Sequence, residues 1–406
     1  MFVAPGTQTP KHPNTHSLNV NCPEIQSMID YNQIPSPSFV LEEELLRQNL
    51  ELIKGVQERA GVSIILALKG FAMWRVFPMV GRYLKGATAS SLHEARLIFE
   101  EMGVLAHTYS PAYLPDEFEE IMGYSSHITF NSLSQYHRFK EQLKAAPHPI
   151  SAGLRVNPEY SEVEVDLYNP AAKGSRLGEA PDNLGDTLPD GIEGLHFHIL
   201  CESSSYDLEK VLIAFEQHFS RFFPQLKWVN FGGGHLMTRK GYDTEHLIGL
   251  LQRFREKYGL EVILEPGSAI AWETGDLVST VLDIVENRGV KTAIVDVSFT
   301  AHMPDTLEMP YRPRILGASS DPVSGQPAYR IGGVSCLAGD YMSEYSFDHP
   351  LEVGSQIVFK DMIHYTMVKT STFNGVKHPN ICIWKEDNTL EVVRQFAYED
   401  FKGRLS

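Results

Sequence analysis

Between Phe39 and about residue 275, short apolar runs alternate with charge-bearing segments of helical period, and this alternation limits the fold more than any other feature of the chain. Eight strand-like runs can be counted: SIILALK from Ser63, KGATAS near Gly86, VLAHTYS from Val104, HITF from His127, SAGLRVN from Ser151, IEGLHFHIL from Ile192, KWVNFGG from Lys227 and EVILEPG from Glu261. Helical segments such as EEELLRQNLELIKGVQERAG and SLHEARLIFEEMG separate them. Repeated βα units build a parallel sheet, and eight of them close a barrel. Past about Gly275 the pattern changes to successive β-rich runs, DLVSTVLDIVEN, TAIVDVSF, AYRIGGVSC, SQIVFKDM and YTMVKTSTF. The expectation is therefore an α/β chain: a (β/α)8 TIM-type barrel over residues 38–275 and a C-terminal β-rich barrel or sandwich domain over 276–406. Residues 1–37, rich in Pro, Asn, Ser and Thr, read as an N-terminal arm packing on the β domain, with only IQSMIDYN looking helical.

Composition narrows the class of function. A length of 406 residues exceeds one compact unit of ordinary size, and 43% hydrophobic with 21% charged residues is ordinary for a globular protein. The formal net charge of −16 argues against a nucleic-acid or membrane partner, because phosphate-binding surfaces need clustered Lys and Arg. That charge suits a cationic small molecule and equally serves solubility. No apolar stretch reaches membrane-spanning length, and no basic-then-apolar segment opens the chain, so a cytoplasmic location is expected. Cys22, Cys201, Cys336 and Cys382 are widely spaced with no CxxC pair, so free thiols are expected, and neither a disulfide framework nor a metal site.

Four motifs fall in order at the carboxyl ends of the proposed strands: Lys69 in ALKG, GLHFH, NFGGGH and EPGSAI. That end is the active-site face of such barrels. A buried amine, a flat aromatic base, a glycine nest of phosphate size and a carboxylate are what a protein supplies to hold pyridoxal 5'-phosphate. Lys69 ends an apolar strand, where burial lowers an amine pKa and keeps the nucleophile neutral; taken alone it would be a solvated strand cap. Glu265 in LEPG would accept the ring N–H and make the ring an electron sink, or simply sit in a Pro-Gly corner. His198 would lie against the cofactor face, while His196, deeper on the same side, reads as a core histidine. Gly232, Gly233 and Gly234 can aim consecutive N–H groups at a phosphate, though a triple glycine could equally be a flexible turn. Arg155, inward at a strand end, is expected to pair with acidic or cofactor groups. Asp305 and Glu308, with Glu273 and Asp276, form an acidic group suited to a cationic tail or to a solvated surface.

These residues resemble the fold type III pyridoxal-phosphate decarboxylases, the ornithine and diaminopimelate decarboxylase-like family, over nearly the whole chain from about residue 35. The stretches ALKGFA, GLHFHILCE, NFGGGH, AHMPDTLEMPYRP, GGVSCLAGD and MVKTSTFNG carry the likeness, and the last three favour the branch that acts on carboxynorspermidine and carboxyspermidine. The resemblance implies a barrel of the alanine racemase-like type and a PLP-dependent carboxy-lyase of polyamine biosynthesis. It makes Lys69 the Schiff-base lysine and His198 the stacking ring. It further implies that Cys336 reprotonates the substrate carbon after CO₂ leaves, from the other subunit of a homodimer with shared active sites. Asp340 would contact the substrate's distal amine, and Tyr365 would reach the phosphate, again across the dimer interface, with Phe373 and Asn374 shaping that wall. Gly267 lies in the phosphate corner, where many relatives follow with an arginine. This chain has Ser268, which leaves a neutral hydrogen bond in place of a charge. Decarboxylation of diaminopimelate, ornithine or arginine is the alternative, and a catalytically silent, protein-binding relative is a second one. A nicotinamide site is disfavoured, because no GxGxxG follows the first strand.

Overall fold

The structure, a computed structural model, describes residues 29–163, 169–308 and 311–406. Residues 1–28, most of the expected arm, lie outside it.

The first expected strand run is broken at Ile65 into Ser63–Ile64 and Leu66–Ala67. The break has a reason in the ring: Ile65 donates its N–H to Leu264 O at 2.9 Å, whereas Leu66 donates to Gly86 O at 3.0 Å, so the chain passes from one neighbour to the other. Seven further strands follow: Ala87–Ala89, Ala106–Tyr109, Ser125–Phe130, Ser151–Arg155, Ile192–His196, Trp228–Asn230 and Glu261–Leu264. All pair in parallel and in chain order, and the last pairs with Ser63–Ile64. The eight runs expected thus become nine short strands in one ring.

Helices cover the ring as the apolar spacing requires. Glu43–Ala60 buries Leu46, Leu50, Ile53 and Val56 and stops at Gly61, whose φ of 65° is the left-handed ending that favours glycine. Leu92–Met102 starts where the Ser91 side chain accepts the Glu94 N–H. Inside the ring Trp228 forms a floor: a methyl group on Gly194 would fall 2.1 Å from its ring, and its Nε1 donates to Ser151 Oγ at 2.8 Å. The interior is filled below, and the open end lies at the carboxyl ends of the strands.

Among the described residues the second sheet also has nine strands, built mostly from Gly275 onward. One finding corrects the expected boundary: Ser38–Glu42 is a member of this sheet, not of the barrel, antiparallel to Gly275–Asn287 and parallel to Asn380–Trp384. Its burial on both faces, Ser38 included, matches an internal position between two strands. The YTMVKTSTF run, expected as strand, instead forms the 3₁₀ turns Met367–Lys369 and Phe373–Gly375. The described end of the arm packs Ile29, Tyr31 and Ile34 against Val40, Val278 and Val358. Among the described residues, no helix is long and apolar enough to cross a membrane.

Candidate active site

At the carboxyl mouth of the ring, Ala67, Lys69, Thr88, Ser90, Tyr109, Arg155, His196, His198 and Glu265 line one cavity. A larger groove of about 840 Å³ opens at the opposite end, beside Gly61–Ser63, Arg82–Gly86 and Glu261, and none of the expected site residues lines it. The chemistry is thus gathered on the face where strand ends present side chains.

Lys69 lies two residues beyond Leu66–Ala67, and its Nζ is 3.1 Å from His198 Nε2. The well above it is open, so the amine keeps accessible surface, yet protein surrounds it on nearly every other side. That desolvation, and then the Arg155 charge, lower the Lys69 pKa. His198 accepts the Gly233 N–H on Nδ1 at 2.8 Å. A neutral imidazole with Nδ1 so occupied carries its proton on Nε2, where it faces the amine lone pair. Burial, then Lys69 and Arg155, hold His198 well below the ordinary histidine pKa, in agreement with that neutral state.

Glu265 follows Glu261–Leu264 and is buried. Burial alone would raise its pKa. The His196 ring, with Nε2 at 3.5 Å from Oε2, and the Asn230 amide, with Nδ2 at 2.7 Å from Oε1, overcome that and hold the carboxyl down at about 2. At 3.5 Å His196 is too far for a good hydrogen bond, and both its ring nitrogens remain without one. Arg155, the last residue of its strand, donates to His198 O at 2.9 Å and lies 4.7 Å over the Tyr109 ring. It braces the wall rather than pairing with a carboxylate.

The phosphate-sized end is built from backbone. Gly232 and Gly234 adopt φ of 67° and 89°, and a methyl group on Gly233 would fall 2.5 Å from Glu265 O and 2.9 Å from His198 Cε1. Only glycine permits that approach. Across the mouth, a methyl group on Gly70 would fall 2.7 Å from Gly267 Cα, so the loops bearing Lys69 and Glu265 touch. Ser268 opens the helical turn Ser268–Ala271 at this contact. Tyr365 reaches the same corner from its own chain, which corrects the expectation of a contribution across an interface. Its N–H donates to Gly70 O at 2.7 Å, its hydroxyl lies 3.6 Å from a methyl group placed on Gly267, and its φ is 42°. Burial pushes its hydroxyl up to about 12, so it is a neutral donor.

The expected acids separate differently. Asp276 is buried and accepts Lys360 Nζ at 2.5 Å, the Tyr31 hydroxyl and the Asp361 N–H, so it anchors the arm and is not open to a ligand. Asp340 is turned toward its own loop, accepting the Thr300 and Ser335 N–H groups, each at 3.1 Å. Asp305 is buried and accepts from Tyr311 and Thr366. Glu273, at a φ of 53°, pairs with Arg314 at the surface at 2.6 Å. Glu308 is exposed and paired with Lys369 at 2.5 Å. Cys336 is exposed, and its N–H donates to Asn374 Oδ1 at 2.7 Å; the residue before Asn374, Phe373, is also exposed. Within one chain the thiol does not line the Lys69 cavity.

Thr88, Ser90, Tyr109 and Asn230 belong to the site without having been expected there. Ser90 ends the ATAS run with Thr88 two residues before it, Tyr109 ends its own strand, and Asn230 stands two residues ahead of the glycines, so position at or near a strand end was the available signal. His196, His198 and Glu265 place donor atoms within 4.8 Å of one another, a spacing that could suit a metal. The Gly233 N–H argues against it, because it leaves His198 with a proton rather than a lone pair on Nε2. An amine, an anionic acid, a half-buried imidazole and a side-chain-free nest do fit pyridoxal phosphate.

Comparison with known proteins agrees with this fit. The family model for the pyridoxal-dependent decarboxylase, C-terminal sheet domain, matches residues 133–363. A Synechocystis protein named carboxyaminopropylagmatine decarboxylase is 52% identical over 92% of this chain and 96% of its own length. A Campylobacter jejuni protein named carboxynorspermidine/carboxyspermidine decarboxylase is 47% identical over 92% and 99%. The crystal structure of carboxynorspermidine decarboxylase with norspermidine from Campylobacter jejuni superimposes with a TM-score of 0.85, at 46% identity, over 91% of this chain and all of that one. Diaminopimelate decarboxylase from Helicobacter pylori, at 16% identity over 92% of this chain and 98% of its own, shares the fold with a TM-score of 0.75. With a family match spanning more than half the residues and near full-length relatives at high identity, this chain belongs to the pyridoxal-dependent decarboxylases.

Proposed function

We propose that this enzyme removes the α-carboxylate from a carboxylated polyamine, carboxynorspermidine or carboxyspermidine, and releases norspermidine or spermidine. The observation that carries the reading is the alignment of Lys69, His198, Glu265 and the 232–234 nest in one well. Pyridoxal phosphate, when bound, supplies an aldehyde for the substrate's α-amine and a ring that takes up the electron pair left by CO₂. Lys69 would supply the neutral amine that holds the cofactor at its aldehyde. His198 presents its imidazole face to the ring. Glu265, held anionic, keeps the ring nitrogen charged. The three glycines, Gly267, Ser268 and the Tyr365 hydroxyl receive the phosphate. Arg155 keeps the Lys69 pKa low and the His198 loop in place.

Return of a proton to the substrate carbon falls to Cys336 of a second copy, because the thiol is exposed and lies away from the Lys69 well of its own chain. That reading makes the enzyme a homodimer with shared sites. Glu308, exposed beside Lys369, is the acid we assign to the cationic tail, and the net charge of −16 favours such a substrate. The unpaired thiols Cys201, Cys336 and Cys382 support a cytoplasmic location.

A second substrate reading has its own support. The 52% identity to the Synechocystis protein favours carboxyaminopropylagmatine, which shares the reacting amino-acid end and differs by a guanidinium at the tail. The well described above handles the shared end, so the tail alone separates the two. The deciding experiment supplies the purified enzyme with each carboxylated polyamine and with diaminopimelate, ornithine and arginine, and identifies products by mass spectrometry. A higher kcat/KM for any short amino acid than for all carboxylated polyamines would overturn the reading.

A further inference from the structure

Asn230 closes the strand Trp228–Asn230, is buried, and spends both ends of its side-chain amide inside the site. Nδ2 donates to Glu265 Oε1 at 2.7 Å, and Oδ1 accepts the Gly232 N–H at 2.8 Å. Exchanging the two ends would set oxygen against carboxylate and N–H against N–H, so the network admits one orientation. A backbone bond runs parallel to it, from Glu265 N–H to Gly232 O at 2.8 Å. The carboxylate meant for the ring nitrogen and the first glycine of the phosphate nest are therefore tied through one side chain. On its other oxygen, Glu265 has, among the described residues, only the His196 ring at 3.5 Å, so Asn230 is its short-range anchor.

We infer that Asn230 is a positioning residue, which sets the carboxylate of Glu265 and the opening N–H of the glycine nest against each other and so locates both ends of the cofactor at once. The inference rests on the proposed roles of Glu265 and the nest. A bond to an ionised carboxylate in a closed site is among the stronger hydrogen bonds, and its loss is expected to change binding or rate roughly 10- to 100-fold. Asn230 need not touch the cofactor to have this effect, because a carboxylate free to rotate no longer meets the ring nitrogen in line.

Two substitutions separate the two ties. Asn230→Asp keeps an acceptor for the Gly232 N–H but sets a carboxylate against Glu265, so the two acids must share a proton. Asn230→Ala removes both bonds. The wild-type holoenzyme is first reduced with borohydride and its adduct mapped; absence of an adduct at Lys69 would refute the functional reading and not this inference. With the adduct in place, Asn230→Asp is expected to move the acid limb of the kcat/KM profile and the pH at which the bound cofactor's absorbance changes to higher pH, while retaining cofactor. Asn230→Ala is expected to weaken cofactor binding, followed by fluorescence titration, roughly 10- to 100-fold, with kcat also reduced. Should the alanine protein fail to fold by circular dichroism, Asn230→Ser, one bond too short to reach Glu265, takes its place with the same expectation for kcat. An Asn230→Asp enzyme with wild-type pH profile and spectrum, or an alanine or serine enzyme changed only in melting temperature, would overturn the inference.

Discussion

Lys69 Nζ faces His198 Nε2 at 3.1 Å, while the Gly233 N–H occupies the opposite nitrogen of that ring. The glycine nest thereby dictates which histidine nitrogen carries the proton, and the histidine presents that proton to the lysine. An amine that accepts a hydrogen bond is unprotonated, the state from which it can attack a carbonyl once that bond is given up. Burial and then Arg155 favour the same state by lowering the Lys69 pKa.

Arg155 gives the first prediction. Replacing it with Gln removes the second-largest influence lowering the Lys69 pKa, so the pH midpoint for covalent capture of pyridoxal phosphate is expected to rise. Borohydride-trapped adduct measured over a pH series reads this directly. A midpoint that stays put or falls would show that Arg155 does not tune the amine.

Glu265→Gln is expected to lower kcat roughly 100-fold, the scale of losing one aimed electrostatic contact. It also carries a stability signature. The wild-type carboxyl titrates at about 2 in the fold against an ordinary value of 4.5, so its ionised form stabilises the protein above about pH 4.5. That contribution shrinks as pH falls from 4.5 towards 2, and the gap in melting temperature between wild type and variant should close across this window. A gap that widens on acidification contradicts the assignment.

Gly233→Ala forces a methyl group to within 2.5 Å of Glu265 O and 2.9 Å of His198 Cε1. Backbone must shift by several tenths of an ångström to more, and kcat/KM is expected to fall roughly 100-fold, as displacements near 1 Å do. Steady-state kinetics at saturating cofactor, with circular dichroism to verify folding, test it; activity within a few-fold of wild type would mean the nest is slack.

Asp276→Asn tests the reassignment of that acid to the arm. Its partner Lys360 keeps a charge without a counterion, and the cost is expected to be about 2 to 3 kcal/mol of stability. KM for the polyamine should remain within about twofold, since a structural anchor has no share in tail binding. Urea unfolding and kinetics together decide; a raised KM with unchanged stability would restore Asp276 to the substrate site.

Mixing Lys69→Ala and Cys336→Ala enzymes, each inactive alone, tests the shared site. Random pairing gives half mixed dimers, each with one intact site, so activity should recover to about a quarter of wild type. No recovery after verified subunit exchange would place both residues in one chain's site.

The barrel was legible because strand and helix periods are local properties, and eight runs of the right length admit few closures. Lys69, His198, Gly232 to Gly234 and Glu265 were legible for a related reason: a residue at a strand's carboxyl end is delivered to one face of a parallel ring wherever in the chain it occurs. No such rule places a residue whose partner arrives from a distant segment. Asp276 reads in the sequence like any other exposed acid, yet Tyr31, 245 positions away, and Lys360, 84 away, enclose it. Asp340 folds into its loop, and Tyr365 meets its own chain's Gly70 in a contact that no periodicity announces. Strand Ser38–Glu42 pattern-matches a barrel strand and was claimed by the second sheet, because its burial on both faces is satisfied equally well there. The sequence by itself determined which backbone elements form and which side chains stand at their ends. Tertiary structure alone decided which charges face one another, because the free energy of a buried carboxylate depends on the donors brought to it and not on its neighbours in the chain.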